Sequence, residues 1–409
     1  MVKRTFKPAG ASVATVLLCV VTRGTNVPAA FPALSTAAQP AAEIFRQTNS
    51  AALVLVCVRG HDVSFQSFGE TAPRSGRQPT ASSLLRLCSL TKIFTTDLLI
   101  QLALDKAVRL DDPLQLFAPA NVHVPTQTLH GPVQRPITLS DLATHTAGLP
   151  RELGGAPAGA PHFTFPDHAR RWAWLPKQKL LTSPGAGALY SNVGFDLLAD
   201  ALQAAAHQPY PNLLAQRITT PLGMRDTTFA PTSEQCSRLL RGAHDEGPCA
   251  DTTASAGSAG LYSTPADMAR WLRYLLGDTS LPIQQNPAAQ AVYIQPARLA
   301  SMQGLNHAGK PSGIGLGWLQ LGRSGDPSMI LQKTGAGADF HTYIALNPAL
   351  HTGVFLALVD VGSWRANPFV ATNNILLALS NLPPMPAEIN SNAGKSRHKH
   401  KPRKAKVTQ

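Results

Sequence analysis

The hydrophobic pattern is clearest over residues 84–104, where apolar side chains return every three to four positions. This spacing predicts a helix with one buried face, formed by Ile93, Phe94, Leu98, Leu99 and Leu102. Ser89 lies in the first turn of the predicted helix, and Lys92 follows three positions later. Residues three apart share a helix face, so we expect the lysine amine to lie directly above the serine hydroxyl.

Strand patterns occur near both ends of the chain. Residues 51–58 and 63–68 predict one pair of strands, and residues 340–346 and 353–360 predict a second, antiparallel pair. A closing helix is predicted over residues 369–382. We therefore predict a mixed α/β (α+β) fold, in which one antiparallel sheet is built from both chain ends and flanked by helices. A mainly helical lobe is inserted between the two ends.

The composition gives this fold a sizeable core, since the chain has 409 residues and 44% hydrophobic content. We assign residues 31–385 to one domain. The preceding residues, 1–30, contain Lys3, Arg4 and Lys7, then an apolar run over 9–21, then small residues. This order is typical of a secretory signal peptide, so we predict export and cleavage.

The net charge of +13 is concentrated at the end of the chain. Seven Lys or Arg lie within residues 395–406, without an acidic residue or an apolar run, and predict a disordered basic tail over residues 386–409. Such a tail suits anionic lipid headgroups, cell-wall polymer or nucleic acid. We expect peripheral contact with the inner membrane or the cell wall, and no specific recognition of nucleic acid.

Export to an oxidising compartment permits disulfides. After cleavage four cysteines remain, and four cysteines allow three pairings. Cys236 and Cys249 flank a polar loop, and closing so short a ring contributes about 3 kcal/mol. We predict that disulfide. Cys57 lies inside the apolar run 51–58 and is predicted to be a buried thiol. Cys88 is predicted to be a small core residue, because a cysteine hydrolase needs a histidine base and no histidine is indicated.

Ser89 and Lys92 are candidates for a nucleophile and its base. A serine hydroxyl needs a neighbouring group to take its proton, and a desolvated lysine with a lowered pKa can do so. The pair alone carries little weight, since the same spacing recurs at Ser396 and Lys399 in the tail. A polar pair on a solvated helix end is the alternative interpretation, and only further motifs decide between the two.

Two further groupings supply candidate chemistry. Tyr190-Ser191-Asn192 follows a turn-forming segment, so these side chains are predicted to lie in a loop and to point into a cleft. The Asn192 amide can hold a substrate carbonyl. Lys333-Thr334-Gly335 directly precedes a predicted strand. Lysine and threonine there can bind a carboxylate, and Gly335 lets a substrate backbone approach the strand edge.

Together the three motifs resemble the serine penicillin-recognising enzymes, which include penicillin-binding proteins and class C β-lactamases. The runs 145–150, 221–229 and 260–264 are similar to signatures of the class C-like branch, and the similarity extends over residues 51–379. The resemblance implies a β-lactamase/transpeptidase-like fold. It is strongest to the periplasmic D-alanyl-D-alanine carboxypeptidase and endopeptidase type.

The resemblance implies a role for each catalytic residue. Ser89 would attack the carbonyl of the penultimate D-alanine, or of a cross-link, and form an acyl-enzyme. Lys92 would take the serine proton. Tyr190 would pass a proton to the leaving amine and later activate water. This mechanism needs no metal or organic cofactor, and the resemblance implies only a structural role for His145.

The same resemblance implies the substrate contacts. Asn192 would orient the acyl side chain, and Lys333 with Thr334 would bind the terminal carboxylate. The backbone N–H groups of Ser89 and Ala336 would form the oxyanion hole. Asp339 lies where a glycine-rich run is expected, and would repel such a carboxylate if it faced the site.

Several functions share this apparatus and differ in how fast water removes the acyl group. A carboxypeptidase or endopeptidase of peptidoglycan peptides is the preferred interpretation, with penicillins as covalent inhibitors. A class C-like β-lactamase is the first alternative. A related serine esterase is the second, although many such esterases lack an intact Lys-Thr-Gly. A non-catalytic penicillin or cell-wall sensor is the third.

Overall fold

The computed structural model describes residues 31–128, 134–244 and 247–386. The predicted signal peptide, residues 1–30, lies outside the described residues. So do residues 387–409 of the predicted basic tail. Cleavage and tail disorder therefore stay predictions.

The elements follow one another in mixed order along the chain. The helices are α1 (Ala38–Thr48), α2 (Thr91–Leu104), α3 (Leu139–Ala143), α4 (His168–Trp174), α5 (Asn192–Ala206), α6 (Tyr210–Leu214), α7 (Ser233–Ser237), α8 (Pro265–Leu275) and α9 (Pro368–Leu379). The strands are β1 (Ser50–Arg59), β2 (Asp62–Gly69), β3 (Leu85–Arg86), β4 (Gln127–Thr128), β5 (Gln134–Arg135), β6 (Gly187–Leu189), β7 (Tyr262–Ser263), β8 (Val292–Ile294), β9 (Ser301–Gln303), β10 (Gly313–Gly315), β11 (Leu319–Leu321), β12 (Ile330–Gly337), β13 (Phe340–Asn347) and β14 (Thr352–Val361).

The first and last strands of the main sheet lie side by side. Its strand order is β2-β1-β14-β13-β12-β11-β10-β8. β1 pairs antiparallel with β2 on one side and with β14 on the other, so that Val54 lies between Ser67 and Ala357. The predicted antiparallel sheet built from both chain ends is confirmed.

β1 is apolar at nearly every position because helices cover both faces of the sheet. Leu53 and Leu55 pack on one face, in a cluster that includes side chains of α1 and α9. Val54 and Val56 point to the other face, into the larger core that includes α2 and α8. Each such fully buried side chain contributes about 1.5–3 kcal/mol. The sheet is thereby a rigid support for the strands beside the site.

The helix that follows Ser89 differs from its prediction in two ways. Residues 85–86 form the short strand β3, which pairs with β7, and a 3-10 turn over Cys88–Leu90 precedes α2. Residues 91–100 of α2 are buried on all sides, not on one face. α2 is surrounded by the rest of the domain, so its polar side chains Thr95, Thr96 and Asp97 are buried as well and form hydrogen bonds inside the protein. Ser89 therefore lies in the turn that opens a central helix.

The Lys333-Thr334-Gly335 motif precedes the predicted strand β13, and it lies itself inside a strand, β12, which the sequence pattern did not predict. Glycine is depleted in strands, so the glycines of this segment interrupt the strand pattern in the sequence. In the structure β13 nevertheless pairs with β12 through Lys333, Thr334 and Gly335. β11 pairs with β12 only as far as Gln332. In the described part of the chain, residues 333–337 therefore pair on one side alone, and their other edge is open.

A two-residue turn, Ala338 and Asp339, connects β12 to β13. Both residues have positive φ, 47° and 58°, as the tight hairpin turn that matches the twist of the strands requires. Asp339 is exposed in this turn. Its position beyond the end of β12 explains why a carboxylate is accommodated there.

The cysteines follow their predictions. Cys236 and Cys249 form a disulfide, and Cys57 and Cys88 are buried free thiols. None of the helices in the described part of the chain has the length and apolar character that a membrane crossing requires.

Candidate active site

Ser89 lies in the turn before α2. A strained backbone at Cys88 and two hydrogen bonds of the Thr91 hydroxyl hold this turn in place. Cys88 has a φ of 52°, which is rare for a residue with a side chain. The Thr91 hydroxyl donates to the Cys88 carbonyl at 2.8 Å and accepts from the Leu261 N–H at 3.1 Å. The turn is thereby tied to the segment before β7. The Ser89 side chain lies at the bottom of the site, because the residue is only 5% exposed.

Lys92 lies beside Ser89, as the spacing predicts. Its Nζ lies 3.4 Å from Ser89 Oγ, 2.6 Å from Asn192 Oδ1 and 2.8 Å from the Ser258 carbonyl oxygen. The residue is fully buried. Three oxygens therefore fix the amine in contact with the nucleophile.

Burial also changes the proton affinity of this amine. Desolvation lowers the pKa of Lys92 to about 7, and the nearby Asp196 carboxylate opposes the change by raising it. A lysine with its ordinary pKa is protonated at neutral pH and cannot take a proton. Lys92 is poised between its charged and neutral forms, which is the requirement for a base that activates serine.

Tyr190 contacts the nucleophile from the other side. Its OH lies 2.6 Å from Ser89 Oγ. Three cationic groups surround its ring, at 4.9 Å for Lys92 Nζ, 5.2 Å for Lys333 Nζ and 4.8 Å for Arg151 Cζ, each measured to the ring centroid. Such cations stabilise negative charge that develops on the phenol oxygen. The phenol can therefore carry a proton to or from the reacting atoms.

The start of α5 places Tyr190 and Asn192. Ser191 is the N-cap: its hydroxyl accepts from the Gly194 N–H at 2.9 Å and donates to the Pro150 carbonyl at 2.7 Å. The Asn192 N–H donates to the Arg151 carbonyl at 2.8 Å. The predicted loop is thus a strand-to-helix connection, locked to the segment after α3.

His145 supports this connection and has no direct contact with the nucleophile in the described residues. Its Nδ1 accepts from the Ser191 N–H at 3.1 Å, and its ring lies 4.5 Å from that of Tyr190. Burial, together with the charges of Lys92 and Lys333, keeps the pKa of His145 well below its usual value. The histidine is a neutral support for Tyr190.

β12 forms the opposite wall. Lys333 is buried, and its Nζ donates to the Thr334 carbonyl at 2.6 Å. Burial lowers the pKa of Lys333 to about 8, so at neutral pH the amine is mostly protonated. A charged donor between Tyr190 and the open edge of β12 suits a carboxylate.

Gly335 allows β12 to approach the serine turn. A Cβ at this position would lie 2.2 Å from Thr342 Oγ1, 2.8 Å from the Leu87 carbonyl oxygen and 3.1 Å from the Ser89 nitrogen. Only glycine fits this gap without a shift of the strand. The close approach brings the next residue, the exposed Ala336, to the wall beside the Ser89 turn.

The structure brings the catalytic residues indicated by the sequence into one cluster. Direct hydrogen bonds connect Ser89 with Lys92 and Tyr190, and Lys92 with Asn192. The structure adds four residues that the sequence motifs did not indicate: Arg151, Glu152, Asp196 and Ser258. Two signals could have found the first three: the first two directly follow the run 145–150, and the third lies one helical turn after Asn192.

No cluster of three or more histidine, cysteine, aspartate or glutamate side chains suitable for a metal ion occurs in the described ranges. The described residues place a buried serine between an amine and a phenol. Such a set supports acyl transfer through a covalent ester.

Comparison with known proteins agrees with this geometry. Residues 37–379 match the beta-lactamase family model. The chain belongs to the beta-lactamase family. The family resemblance drawn from the three motifs is confirmed. In this family the chain is 41% identical over 317 residues to the D-alanyl-D-alanine-carboxypeptidase/endopeptidase AmpH of Escherichia coli (strain K12), with 77% of this chain and 81% of that protein covered.

Solved structures of the beta-lactamase family agree with the fold. The beta-lactamase/D-alanine carboxypeptidase from Yersinia pestis, complexed with citrate, superposes with a TM-score of 0.79 at 39% identity, covering 85% of this chain and all (100%) of that one. A class C beta lactamase from Rhodobacter sphaeroides superposes with a TM-score of 0.62 at 21% identity, covering 85% and 99%. The second comparison shows the fold alone. The predicted β-lactamase/transpeptidase-like fold is confirmed.

Proposed function

We propose that this protein is a serine-type D-alanyl-D-alanine carboxypeptidase and endopeptidase of peptidoglycan peptides, and that penicillins acylate it. The observation that carries the proposal is the setting of one hydroxyl: Ser89 Oγ lies 2.6 Å from Tyr190 OH and 3.4 Å from Lys92 Nζ. The 41% identity to a protein with this activity supports the choice of substrate.

In the proposed acylation, Ser89 Oγ attacks the carbonyl carbon of the penultimate D-alanine. Neutral Lys92 takes the hydroxyl proton, and Tyr190 passes a proton to the leaving nitrogen as the C–N bond breaks. The terminal D-alanine leaves with that proton, and the acyl group stays on Ser89 as an ester. In the endopeptidase reaction the leaving amine belongs to a cross-linked peptide instead.

Deacylation reverses the proton transfers. Tyr190 takes a proton from a water molecule, whose oxygen attacks the ester carbonyl. The C–O bond to Ser89 breaks, and the serine oxygen regains from Lys92 the proton that the amine took during acylation. The products are a shortened peptide and the free enzyme, and neither step requires a metal or an organic cofactor.

The proposed substrate lies along the open edge of β12. Its carboxylate binds the protonated Lys333 amine and the Thr334 hydroxyl. Its backbone adds to the strand edge beside Gly335. The N–H groups of Ser89 and Ala336 hold the oxygen that becomes anionic, and each such donor is worth about 3–4 kcal/mol.

The same proposal includes export. Residues 1–30 would direct the chain to the periplasm, residues 31–385 would be the catalytic domain, and the basic tail would touch anionic membrane or cell wall. The disulfide between Cys236 and Cys249 supports an oxidising compartment.

A β-lactamase is the second candidate, because the Yersinia pestis relative carries both activities in its name. Mass spectrometry separates the two candidates. The purified protein is mixed in separate reactions with a penicillin and with a pentapeptide-containing muropeptide, and adducts and products are followed over time. A lasting penicilloyl adduct with release of D-alanine supports the peptidase. Rapid loss of the adduct with an intact muropeptide would make the protein a β-lactamase.

A further inference from the structure

A buried arginine lies behind the active site and is not used in the proposed mechanism. Arg171 is on α4, and its side chain is only 5% exposed. Its guanidinium binds the Asp200 carboxylate twice, from Nη2 to Oδ1 at 2.9 Å and from Nε to Oδ2 at 3.1 Å. Its Nη1 donates to the backbone carbonyls of Pro166 and Ala254, each at 2.6 Å. One side chain therefore connects α4 with α5 and with the segment 253–258.

The two segments that this guanidinium connects also hold the Lys92 amine. Asp200 lies on α5, about two helical turns after Asn192, whose Oδ1 accepts from Lys92 Nζ at 2.6 Å. Ala254 lies four residues before Ser258, whose carbonyl accepts from the same amine at 2.8 Å. Two of the three oxygens around the amine therefore lie on segments that one guanidinium ties together.

The segment 253–258 is also packed tightly against the helices on either side. A Cβ added at Gly257 would lie 2.1 Å from the Phe195 carbonyl oxygen of α5. The Gly257 carbonyl accepts from the Thr95 hydroxyl of α2 at 2.8 Å. Close-packed interiors transmit displacements, so a shift of this segment or of α5 at Arg171 should reach the amine of Lys92.

We propose that Arg171 is a positioning residue for Lys92: it holds α5 and the segment 253–258 at the separation at which both contact the lysine amine. This inference rests on the proposed function, in which Lys92 takes the proton of Ser89. A guanidinium suits this task, because its planar fork binds a carboxylate through two donors while a third nitrogen donates elsewhere. A lysine at this position has a single nitrogen and cannot reproduce the fork.

Arg171 also acts on the site through its charge. Burial raises the pKa of Asp196 to about 7, and the charge of Arg171 is the largest of the effects that oppose this change. Position and charge must therefore be separated by experiment. Arg171→Lys does so, because it keeps the positive charge and loses the forked contacts.

Stopped-flow acylation over a range of penicillin concentrations tests the positioning role. It gives a dissociation constant, which reports the carboxylate site on β12, and a limiting rate constant, which reports the proton transfer from Ser89. Unfolded protein takes no penicillin, so it lowers the amplitude of the reaction and leaves both constants unchanged. A displaced Lys92 lowers the limiting rate constant alone.

Arg171→Ala should lower the limiting rate constant by about a hundredfold and leave the dissociation constant within about twofold, because a displacement of about 1 Å at the amine spares the carboxylate site. Arg171→Lys should lower the limiting rate constant by about tenfold or more, since part of the contacts is lost. If Arg171→Ala does not fold, Arg171→Lys decides, because a lysine still pairs with the buried Asp200.

Arg273→Ala is the matched control. Arg273, like Arg171, is paired with a buried aspartate, here Asp278, that also contacts an exposed histidine. The hydrogen bonds described for Lys92 involve neither Arg273 nor Asp278. The control should therefore keep the wild-type values of both constants.

Three results would overturn the positioning role and leave the peptidase assignment intact. The first is a wild-type limiting rate constant in Arg171→Lys, since charge alone would then suffice. The second is a lower amplitude with unchanged constants in Arg171→Ala, and the third is an equal loss in Arg273→Ala. If the wild-type protein takes no penicillin, the proposed function fails, and the positioning role fails with it.

Discussion

Lys92 donates to a hydroxyl, an amide oxygen and a backbone carbonyl, and no carboxylate is among these acceptors. Asp196 is buried, and burial raises its own pKa to about 7, while the charges of Arg171 and Lys92 and the side chain of Ser258 oppose that change. Its charge raises the pKa of Lys92, against the larger effect of burial. The pKa of Lys92 thus depends on its burial and on the nearby Asp196 carboxylate.

A change at Asp196 should move the pH dependence of the reaction. In the wild-type protein, acylation by penicillin should speed up as pH rises through about 7, since Lys92 accepts a proton only when neutral. Asp196→Asn keeps an acceptor for Ser258 and removes the charge that raises the pKa of Lys92. The pKa of Lys92 then falls, and the rise in the acylation rate constant should move to lower pH. Stopped-flow acylation across pH measures this shift.

Asp97→Asn is the matched control for Asp196→Asn. Asp97 is also a buried carboxylate, held by Tyr274 and Gln101, and its charge is not among those that act on Lys92. The control should keep the wild-type pH profile. If Asp196→Asn lowers the acylation rate constant at every pH and leaves the pH of its rise unchanged, Asp196 has only a structural role. Glu152, which raises the pKa of Lys92, and Arg151, which lowers it, are unchanged in both variants.

Among the elements, β12 and the serine turn leave the least room for an added side-chain atom. The turn over Cys88–Leu90 and the strand approach each other at Gly335, where even one added carbon collides with backbone and side-chain oxygens. The Thr342 hydroxyl closes the same gap by donating to the Leu87 carbonyl at 2.8 Å. The distance between β12 and the serine turn therefore depends on the absence of a side chain at Gly335.

Gly335→Ala should push β12 away from Ser89 and lower the acylation rate constant by about a hundredfold, the cost of a displacement of about 1 Å in an active site. Gly335→Ala with Thr342→Ala removes the nearest clashing atom and should recover part of the loss, beyond the rate expected from the two single changes. Full activity in Gly335→Ala would contradict this account of the strand.

The sequence predicts a strand well where its apolar residues follow a regular pattern and are all buried in one sheet. Residues 340–346 and 353–360 lie within β13 and β14, because their apolar side chains are buried in the sheet. The helix predicted over 369–382 ends earlier, at Leu379, because the chain turns at Asn381, whose φ is 56°. The place of Lys333 inside a strand was missed because glycines interrupt its pattern.

The sequence indicates candidate site residues only where they lie in motifs. Ser89, Lys92, Tyr190 and Asn192 have characteristic spacings, and the structure brings them together. Ser258 acts on Lys92 through its backbone carbonyl, 166 positions away, and any residue type offers that group. Such a contact cannot be predicted from a sequence motif.

In the molecule as a whole, the site lies where distant segments of the chain meet. Ser89 precedes a central helix, Tyr190 and Asn192 come from the helical lobe, and Lys333 comes from the sheet. Arg86, close to the nucleophile, donates to the Pro248 carbonyl at 2.8 Å, next to the disulfide at Cys249. The stability of the whole fold therefore bears on the geometry of the site.

Replacing Cys236 and Cys249 by serine should lower the free energy of unfolding by about 3 kcal/mol, because the unfolded chain gains the freedom that the closed ring removes. Denaturant unfolding of both proteins measures the difference. A reducing agent should produce the same loss in the wild-type protein and none in the double variant. Equal unfolding midpoints without reductant would show that the disulfide does not stabilise the fold.

The central claim is that Ser89 is the nucleophile of an acyl-transfer site. The most direct test is the intact mass and peptide map of the wild-type protein and Ser89→Ala after exposure to a penicillin. We predict the mass of one penicillin on the wild-type protein, located on the peptide that contains Ser89, and none on the variant. A label that persists in Ser89→Ala, or a wild-type label on another residue, would contradict the assignment.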